Sequence, residues 1–237
     1  ESEAELGYQA PGINPDSARA STAMHSLSGE RKHVTVMFAD IGGCASLAET
    51  MDPERVRDLL NACFEQLVPP VAKYGGTVDK FIGDSVMALF GAPITHENDP
   101  ERALRAALEM KEALAAFNLA NGTRLSVHFG INTGLVVAGG IGTRDQQVYS
   151  VVGDAVNLAA RLEETSQPGE ILVGHDTYRQ TSHLFTFQET GHLRLKGKAE
   201  PVPVYKLVGA RGVTPSSSRA EGRGLSSPLV GRDSEVR

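Results

Sequence analysis

The order of apolar segments between residues 32 and 208 is the feature that most restricts the fold. The segment "KHVTVMFADI" (residues 32–41) is rich in Val and Phe and runs into Gly42-Gly43, which predicts a buried strand followed by a turn. Residues 53–74 carry apolar side chains at helical spacing, so a helix should follow this strand. Pro69-Pro70 should kink or interrupt the far end of that helix.

A hairpin, a second helix and further strands complete this order. "GTVDKF" and "SVMALFG" lie on either side of Ile82-Gly83, which is a signal for a short hairpin. Residues 99–119 predict an Ala- and Leu-rich helix, and "RLSVHFGINTG" and "LVVAGG" are then expected to form another strand pair. Asp154 should cap a later helix that ends near Glu164. This order predicts an α+β fold with helices on one face of a mainly antiparallel sheet.

Composition limits the expected cellular location and the expected classes of binding partner. The chain has 237 residues, 41% hydrophobic and 22% charged, which is typical of a globular protein. A net charge of -6 argues against a nucleic-acid partner, because proteins that bind the phosphate backbone are usually basic. Cys44 and Cys63 make no disulfide framework and indicate a reducing, cytoplasmic location. No apolar run approaches the roughly 20 residues that cross a bilayer and no signal peptide is recognisable, so we expect no membrane partner.

The ends of the chain differ in composition from its centre. Residues 1–30 are polar and lack an apolar period, which predicts a flexible lead-in to one domain over residues 31–209. Residues 210–237 include "TPSSSRAEGRGLSSP", a composition typical of linkers. The last stretch, "PLVGRDSEVR", is either more linker or the start of another folded module.

Two aspartates follow predicted strands. Asp40 ends the first strand, and Asp84 comes directly after the hairpin glycine. In a split βαβ arrangement the first strand lies beside the hairpin, so both carboxylates could meet at one edge of the sheet. Carboxylates are hard ligands that suit Mg²⁺ or Mn²⁺. Either aspartate alone is more simply explained as a turn residue, but the pair favours metal ligation.

Other polar residues indicate a function only in combination with their neighbours. Asn157 and Arg161 are four positions apart, so on a helix they share a face and could bind one anion. An exposed polar pair is the simpler explanation of such spacing. A lysine such as Lys80 or Lys196 can hold a phosphate near a metal. The histidines, His128 among them, show no metal-ligand spacing and are assigned no role, and neither a P-loop nor a zinc motif is present.

Taken together, "FADIGG", "DKFIGDSVMALFG", "GINTG" and "VVGDAVNLAARLE" resemble the catalytic domains of class III adenylyl cyclases, closest to the bacterial and soluble-type subclass. The motifs appear in order over about residues 32–208. The resemblance implies a ferredoxin-like, palm-type split βαβ core with a mainly antiparallel sheet and flanking helices. It also implies conversion of ATP to 3',5'-cyclic AMP and pyrophosphate, with two Mg²⁺ or Mn²⁺ ions in each active site.

The resemblance implies roles for individual residues. Asp40 and Asp84 correspond to the metal-binding aspartates of the family, with the Ile41 carbonyl as a further ligand. Lys80 corresponds to the lysine that binds adenine, and Ser150 to the second base-selecting residue.

Further correspondences concern the ribose and the phosphates. Asn157 and Arg161 correspond to the pair that orients the ribose and stabilises the transition state, and Lys196 to the lysine that binds the terminal phosphates. In the family the metal aspartates come from one subunit and the other groups from its partner. Because this chain carries both sets, a symmetric homodimer with two sites is implied, and a monomer should be inactive.

Three finer expectations follow from the same resemblance. Cys44-Ala45 stands where the family usually has Phe-Thr, which puts turnover in doubt more than fold. Cyclases with Thr or Ser at the position of Ser150 often respond to bicarbonate, so bicarbonate is a candidate activator. "PLVGRDSEVR" resembles the beginning of the ATPase modules that follow cyclase domains in some large bacterial proteins.

Two alternatives stay open on the residues alone. A guanylyl cyclase would need an acidic residue at position 80, whereas Lys80 can only donate a hydrogen bond; Ser150 is compatible with either base. A catalytically inactive domain that binds nucleotide and regulates an attached ATPase-like module is the second alternative, motivated by Cys44-Ala45 and the C-terminal segment.

Overall fold

The structure of the chain, a computed structural model, describes residues 29–49, 51–143, 146–194 and 200–211. The strands are β1 (Glu30–Gly42), β2 (Thr77–Ile82), β3 (Ser85–Phe90), β4 (Ser126–Thr143), β5 (Gln146–Val152), β6 (Ile171–Gly174), β7 (Phe185–Leu193) and β8 (Val202–Ala210). The helices are α1 (Cys44–Ala48), α2 (Pro53–Lys73), α3 (Asp99–Asn121), α4 (Asp154–Thr165) and α5 (His175–Thr181). The expected lead-in and linker lie almost wholly outside the described residues, so the domain boundaries stay predictions.

A split βαβ core is built around β1. The strand order is β2-β3-β1-β4-β6-β8-β7, and β5 pairs with β4 off this path. β1 is antiparallel to β3 on one side and to β4 on the other, with α2 and α3 in the connections. Among the described strand pairs, β4 with β6 is parallel and the others are antiparallel. The predicted α+β fold with a ferredoxin-like, mainly antiparallel sheet is confirmed.

Helices cover both faces of the sheet, so the prediction of helices on one face is wrong. Met37 and Ala39 of β1 pack in a core with residues of α2 and α3. Val36 and Phe38, which point to the opposite face, pack in a second core with residues of α4. An unbroken apolar run such as that of β1 is typical of a strand buried on both faces, and a second helical layer follows from it.

β4 is one strand of 18 residues, where the sequence suggested two paired strands. Its first part pairs with β1 and its last part with β5. Gly134, taken as a boundary between strands, lies opposite Val34 inside the β1–β4 ladder. A Cβ at Gly134 would come within 2.9 Å of the Ala155 side chain. This glycine therefore makes room for α4 and does not turn the chain.

α4 lies unusually close to β4 because Gly130 has no side chain. A Cβ at Gly130 would be 2.0 Å from the Ala159 carbonyl oxygen and 2.2 Å from the Glu163 nitrogen, far inside van der Waals contact. The helix begins after Gly153, and Asp154 lies in its first turn, so the prediction that Asp154 caps it is wrong. The close contact fixes the last turns of α4 over β4.

α2 continues through Pro69 and Pro70 and ends at Lys73, so the two prolines do not interrupt it. They lie in its last turn and a half, where few carbonyl groups lose a hydrogen bond. At the other end, the Asp52 side chain accepts a hydrogen bond of 2.9 Å from the Glu54 nitrogen, which is an N-cap. None of the helices in the described residues combines the length and the apolarity that crossing a membrane requires.

Candidate active site

The β2–β3 turn brings Asp84 to the end of β1. Asp40 pairs in register with Ser85, and the Ile41 nitrogen donates a hydrogen bond of 3.2 Å to the Asp84 carbonyl oxygen. Gly83 makes the turn possible with a φ of 64°, in the left-handed region that glycine favours. The Ser85 hydroxyl donates to the Asp40 carboxylate and orients it. Asp40 and Asp84 therefore lie at one edge of the sheet, as the sequence predicted.

His128 and Glu163 extend this group of acidic side chains. His128 pairs with Asp40 across the β1–β4 ladder, and its Nε2 lies 3.6 Å from Asp40 Oδ2 and 3.2 Å from Glu163 Oε1. The ligand atoms of Asp40, His128 and Glu163 all lie within 4.8 Å of one another. The sequence predicted no role for His128, because His128 meets Asp40 across two paired strands and not at a recognisable spacing along the chain. We call Asp40, Asp84 and Glu163 the metal-side cluster.

The metal-side cluster accumulates negative charge. Burial, as the largest cause, and the charges of Asp40, Glu164 and Asp84 together raise the pKa of Glu163 to about 7. Within the described residues, His128 Nδ1 is a buried nitrogen without a hydrogen-bond partner, while Nε2 of the same ring contacts Glu163. Oxygen ligands that repel one another in a half-buried site are the donor set that hard divalent cations prefer. The residues present therefore fit a divalent metal ion.

Cys44 contacts the proposed backbone ligand. Its thiol is buried at the start of α1 and donates a hydrogen bond of 3.3 Å to the Ile41 carbonyl oxygen. Burial raises the pKa of Cys44 to about 11, and the charges of Asp84 and Asp40 act in the same direction. The side chain of the neighbouring Ala45 lies outside the described residues. The cysteine thus occupies its place in the family motif as a small, uncharged core residue.

A second group of polar residues, Asp79, Lys80 and Ser150, forms what we call the base-side cluster. Lys80 Nζ donates to Ser150 Oγ at 3.3 Å, so the two residues expected to select the base are in contact. Ser150 Oγ donates to Asp79 Oδ2 at 2.9 Å, and Lys80 Nζ lies 3.1 Å from the same oxygen. β5 and β2 are not neighbours in the strand order, so the β4–β5 hairpin must fold back over the sheet to allow these contacts.

Asn157 and Arg161 lie on the exposed side of α4. The Arg161 side chain is 60% exposed, and its Nη1 lies 2.6 Å from Glu164 Oε2. Glu163, which contacts His128 beside Asp40, is two residues further along the helix and so about 200° around it. Within one chain Arg161 therefore points away from the metal-side cluster. Lys196 lies outside the described residues, and its role stays a prediction.

Known proteins similar to this chain include nucleotide cyclases. The family described as "Adenylate and Guanylate cyclase catalytic domain" matches residues 27–209. "Adenylate cyclase 1" of Rhizobium meliloti is 34% identical over 185 residues, which are 76% of this chain and 28% of that protein. The chain thus spans less than a third of that relative.

Solved structures give the same result. The adenylyl cyclase CyaB from P. aeruginosa has a TM-score of 0.74 and 36% identity, and the alignment covers 78% of this chain and 97% of that one. A guanylate cyclase domain from Catenaria anguillulae, in complex with GTP, has a TM-score of 0.71 and 27% identity, over 77% of this chain and 100% of that one. The resemblance seen in the motifs is confirmed: the chain belongs to the family of class III adenylyl and guanylyl cyclase catalytic domains.

Proposed function

We propose that the chain converts ATP to 3',5'-cyclic AMP and pyrophosphate in a homodimer whose two active sites each combine residues of both subunits. The observation that carries this proposal is the meeting of Asp40 and Asp84 at one edge of the sheet, beside a further acidic group. A polyphosphate can approach such an edge only if cations neutralise it. The adenylate cyclases among the relatives support the reaction class.

Asp40, Asp84 and the Ile41 carbonyl would hold two Mg²⁺ or Mn²⁺ ions. When bound, such ions lower the pKa of the attacking 3'-hydroxyl and neutralise the leaving phosphates. Ser85 keeps one oxygen of Asp40 occupied by a hydrogen bond, so the other oxygen is left for a ligand. The Cys44 thiol uses one lone pair of the Ile41 carbonyl, and a carbonyl oxygen has a second.

The chain's own residues bind and orient the nucleotide. Lys80 and Ser150 bind the edge of the base, and Asn157 orients the ribose so that its 3'-oxygen faces the α-phosphorus. Arg161 stabilises the charge that grows on the α-phosphate oxygens as pyrophosphate leaves, a role for which a guanidinium is well shaped. Lys196 binds the terminal phosphates.

A dimer accounts for the position of Arg161. Since Arg161 points away from the metal-side cluster of its own chain, it can act on a nucleotide held there only from a second chain. Exposed apolar side chains support such an interface. Of the eleven large apolar residues exposed in the described part of the chain, eight lie on β2, β4 and β5: Phe81, Ile82, Leu135, Val137, Ile141, Val148, Tyr149 and Val152. Apolar groups concentrated in this way mark protein interaction sites.

Complementation tests the function and the dimer together. Asp40→Asn and Arg161→Ala should each abolish production of cyclic AMP, because each damages both sites of a homodimer. An equal mixture should regain about one quarter of the wild-type activity, since half of the dimers are mixed and each mixed dimer has one intact site. Asp40→Asn mixed with Asp84→Asn is the matched control and should regain nothing. Equal activity of the two mixtures would disprove sites shared between subunits.

The choice of ATP over GTP depends on Lys80. Its ammonium can donate to N1 of adenine but cannot accept from N1–H of guanine. Turnover of ATP and GTP by the purified chain, with Mg²⁺ and with Mn²⁺, decides between them. A preference for GTP would instead make the chain a guanylyl cyclase, the activity named for several of the structural relatives.

A nucleotide-binding domain without catalysis is the second candidate. It is favoured by Cys44, whose thiol contacts the carbonyl proposed as a metal ligand. Cyclic AMP production in Mn²⁺ that does not exceed the Asp84→Ala control would support this candidate. Activation by bicarbonate and an attached ATPase-like module stay predictions; activity that is flat with bicarbonate at fixed pH would remove the first.

A further inference from the structure

Asp79 lies beside both base-selecting residues, and the proposed function gives it no role. Its side chain is 2% exposed, while that of Lys80 is 46% exposed. Asp79 Oδ2 accepts a hydrogen bond from Ser150 and lies 3.1 Å from the Lys80 ammonium. A buried carboxylate is costly unless it is paired and hydrogen-bonded. Here both of its partners are the residues expected to contact the base.

A β-bulge explains how the adjacent residues Asp79 and Lys80 reach one hydroxyl. In a regular strand, consecutive side chains point to opposite faces of the sheet. Val78 lies opposite Ala88 and Lys80 lies opposite Met87, so the β2–β3 register shifts and Asp79 is the extra residue. Bulges redirect side chains, and this one brings a carboxylate and an ammonium to Ser150.

These contacts determine the direction of each hydrogen bond. A carboxylate only accepts, an ammonium only donates, and a hydroxyl has one proton and two lone pairs. Ser150 gives its proton to Asp79 and accepts one from Lys80. The lone pair that remains on Ser150 can only accept, and the proton that remains on Lys80 can only be donated. The base-side cluster therefore presents a donor next to an acceptor.

We propose that Asp79 is a positioning residue that selects adenine by holding Ser150 as a hydrogen-bond acceptor, an inference that rests on the proposed function. Adenine carries an acceptor at N1 beside the donor N6 amino group, which complements Lys80 and Ser150. Guanine carries a donor at N1 beside the acceptor O6, which opposes both. Without Asp79, the Ser150 hydroxyl can rotate and donate to O6, so discrimination between the two bases weakens.

Asp79→Asn tests this role with little change in shape. An amide can donate to Ser150 Oγ, which frees the hydroxyl proton. The ratio of kcat/KM for ATP to that for GTP should fall roughly 10-fold, the effect of one hydrogen bond to a charged group. Inosine triphosphate has N1–H and O6 but no 2-amino group. Its kcat/KM should rise relative to that for ATP by a similar factor.

A double-variant comparison separates this effect from a structural one. Ser150→Ala removes the hydroxyl, so adding Asp79→Asn to it should leave the ATP-to-GTP ratio unchanged. Asp58→Asn, which alters an exposed aspartate of α2 that contacts Arg57, is the matched control and should behave as the wild type. Equal losses of activity with ATP and GTP in Asp79→Asn would overturn the proposal, because a merely structural role predicts that result.

Binding measurements keep this inference distinct from the proposed function. Displacement of a fluorescent ATP analogue by ATP, GTP and inosine triphosphate needs no turnover. If the wild type makes no cyclic nucleotide but prefers ATP, and Asp79→Asn reduces that preference, the cyclase proposal fails and the role of Asp79 stands. A wild type that binds GTP as well as ATP, or binds neither, overturns the role of Asp79.

Discussion

The base-side cluster (Asp79, Lys80, Ser150) and the metal-side cluster (Asp40, Asp84, Glu163) differ in how their charges are balanced. In the base-side cluster a carboxylate, an ammonium and a hydroxyl satisfy one another within the chain. In the metal-side cluster three carboxylates lie close together, and the pKa of one of them is raised. The base-side cluster is thus preformed, whereas the metal-side cluster is complete only when cations are bound.

The largest effect should come from removing a carboxylate of the metal-side cluster. Asp84→Asn should lower kcat on the order of 10²–10³-fold, the cost of losing a main electrostatic group. It should also abolish stabilisation by metal, which for the wild type is about 2.7 kcal/mol at a Mn²⁺ concentration 100 times the dissociation constant. Kinetics and thermal melts with and without Mn²⁺ measure the two effects.

Lys80→Ala is the counterpart on the other cluster. It should keep the stabilisation by Mn²⁺ and lose nucleotide affinity and base preference, because the base-side cluster holds no metal in our proposal. If Lys80→Ala also lost the stabilisation by Mn²⁺, the two clusters would not be independent.

A second prediction concerns the contact that holds Glu163 over β4. Gly130→Ala would force a Cβ into the backbone of α4, so it should destabilise the fold by about 3 kcal/mol. Gly209→Ala, where a Cβ would meet nothing within 4 Å, is the matched control and should change stability by less than about 0.5 kcal/mol. Urea unfolding measures both. A Gly130→Ala variant as stable as the control would mean that α4 is not held in place by this contact.

The sequence predicted what depends on local pattern and missed what depends on pairing across strands. The apolar run of β1, the helical spacing of α2 and the hairpin at Gly83 placed Asp40 and Asp84 at one edge correctly. The second helical layer was missed because the apolar side of α4 predicts that the helix packs on the sheet but not on which face of it. Gly134 was taken as a break because a glycine that admits a helix and one that turns the chain are alike in sequence.

The same limit explains the site residues that were missed. His128 meets Asp40 through strand register, and Asp79 meets Ser150 through a bulge and a hairpin that folds back. Neither contact leaves a spacing along the chain that could be recognised. Asn157 and Arg161 were correctly expected to share one side of a helix. Their exposure, and so the need for a second chain, is visible only in three dimensions.

The third prediction uses the raised pKa of Glu163. Its pKa is about 7 in the folded chain and about 4.3 when unfolded, so its protonated form is favoured by folding. The stability that this contributes is present below pH 4 and is lost as the pH rises through 7. Glu163→Gln cannot ionise, so in EDTA its stability relative to that of the wild type should increase by about 2–3 kcal/mol between pH 5 and pH 8.

Its controls use the metal and a distant carboxylate. Mn²⁺ should reduce the advantage of Glu163→Gln at pH 8, because a cation relieves the repulsion among the carboxylates. Glu65→Gln, an exposed residue of α2, should show no pH-dependent difference from the wild type. A constant difference between Glu163→Gln and the wild type from pH 5 to pH 8 would contradict the balance of charge described for the metal-side cluster.

The smallest effect is expected at the two thiols, where the metal-side cluster meets the core. Burial raises the pKa of Cys44 to about 11 and that of Cys63 to about 12. Only the thiolate is nucleophilic, so a disulfide reagent at pH 8 should label neither cysteine in the folded chain and both in urea. Cys44→Ala removes a weak donor from the Ile41 carbonyl and should cost about 1 kcal/mol. Rapid labelling of Cys44 in the folded chain would show that the loop opens, and the metal-side cluster would then be less ordered than the base-side cluster.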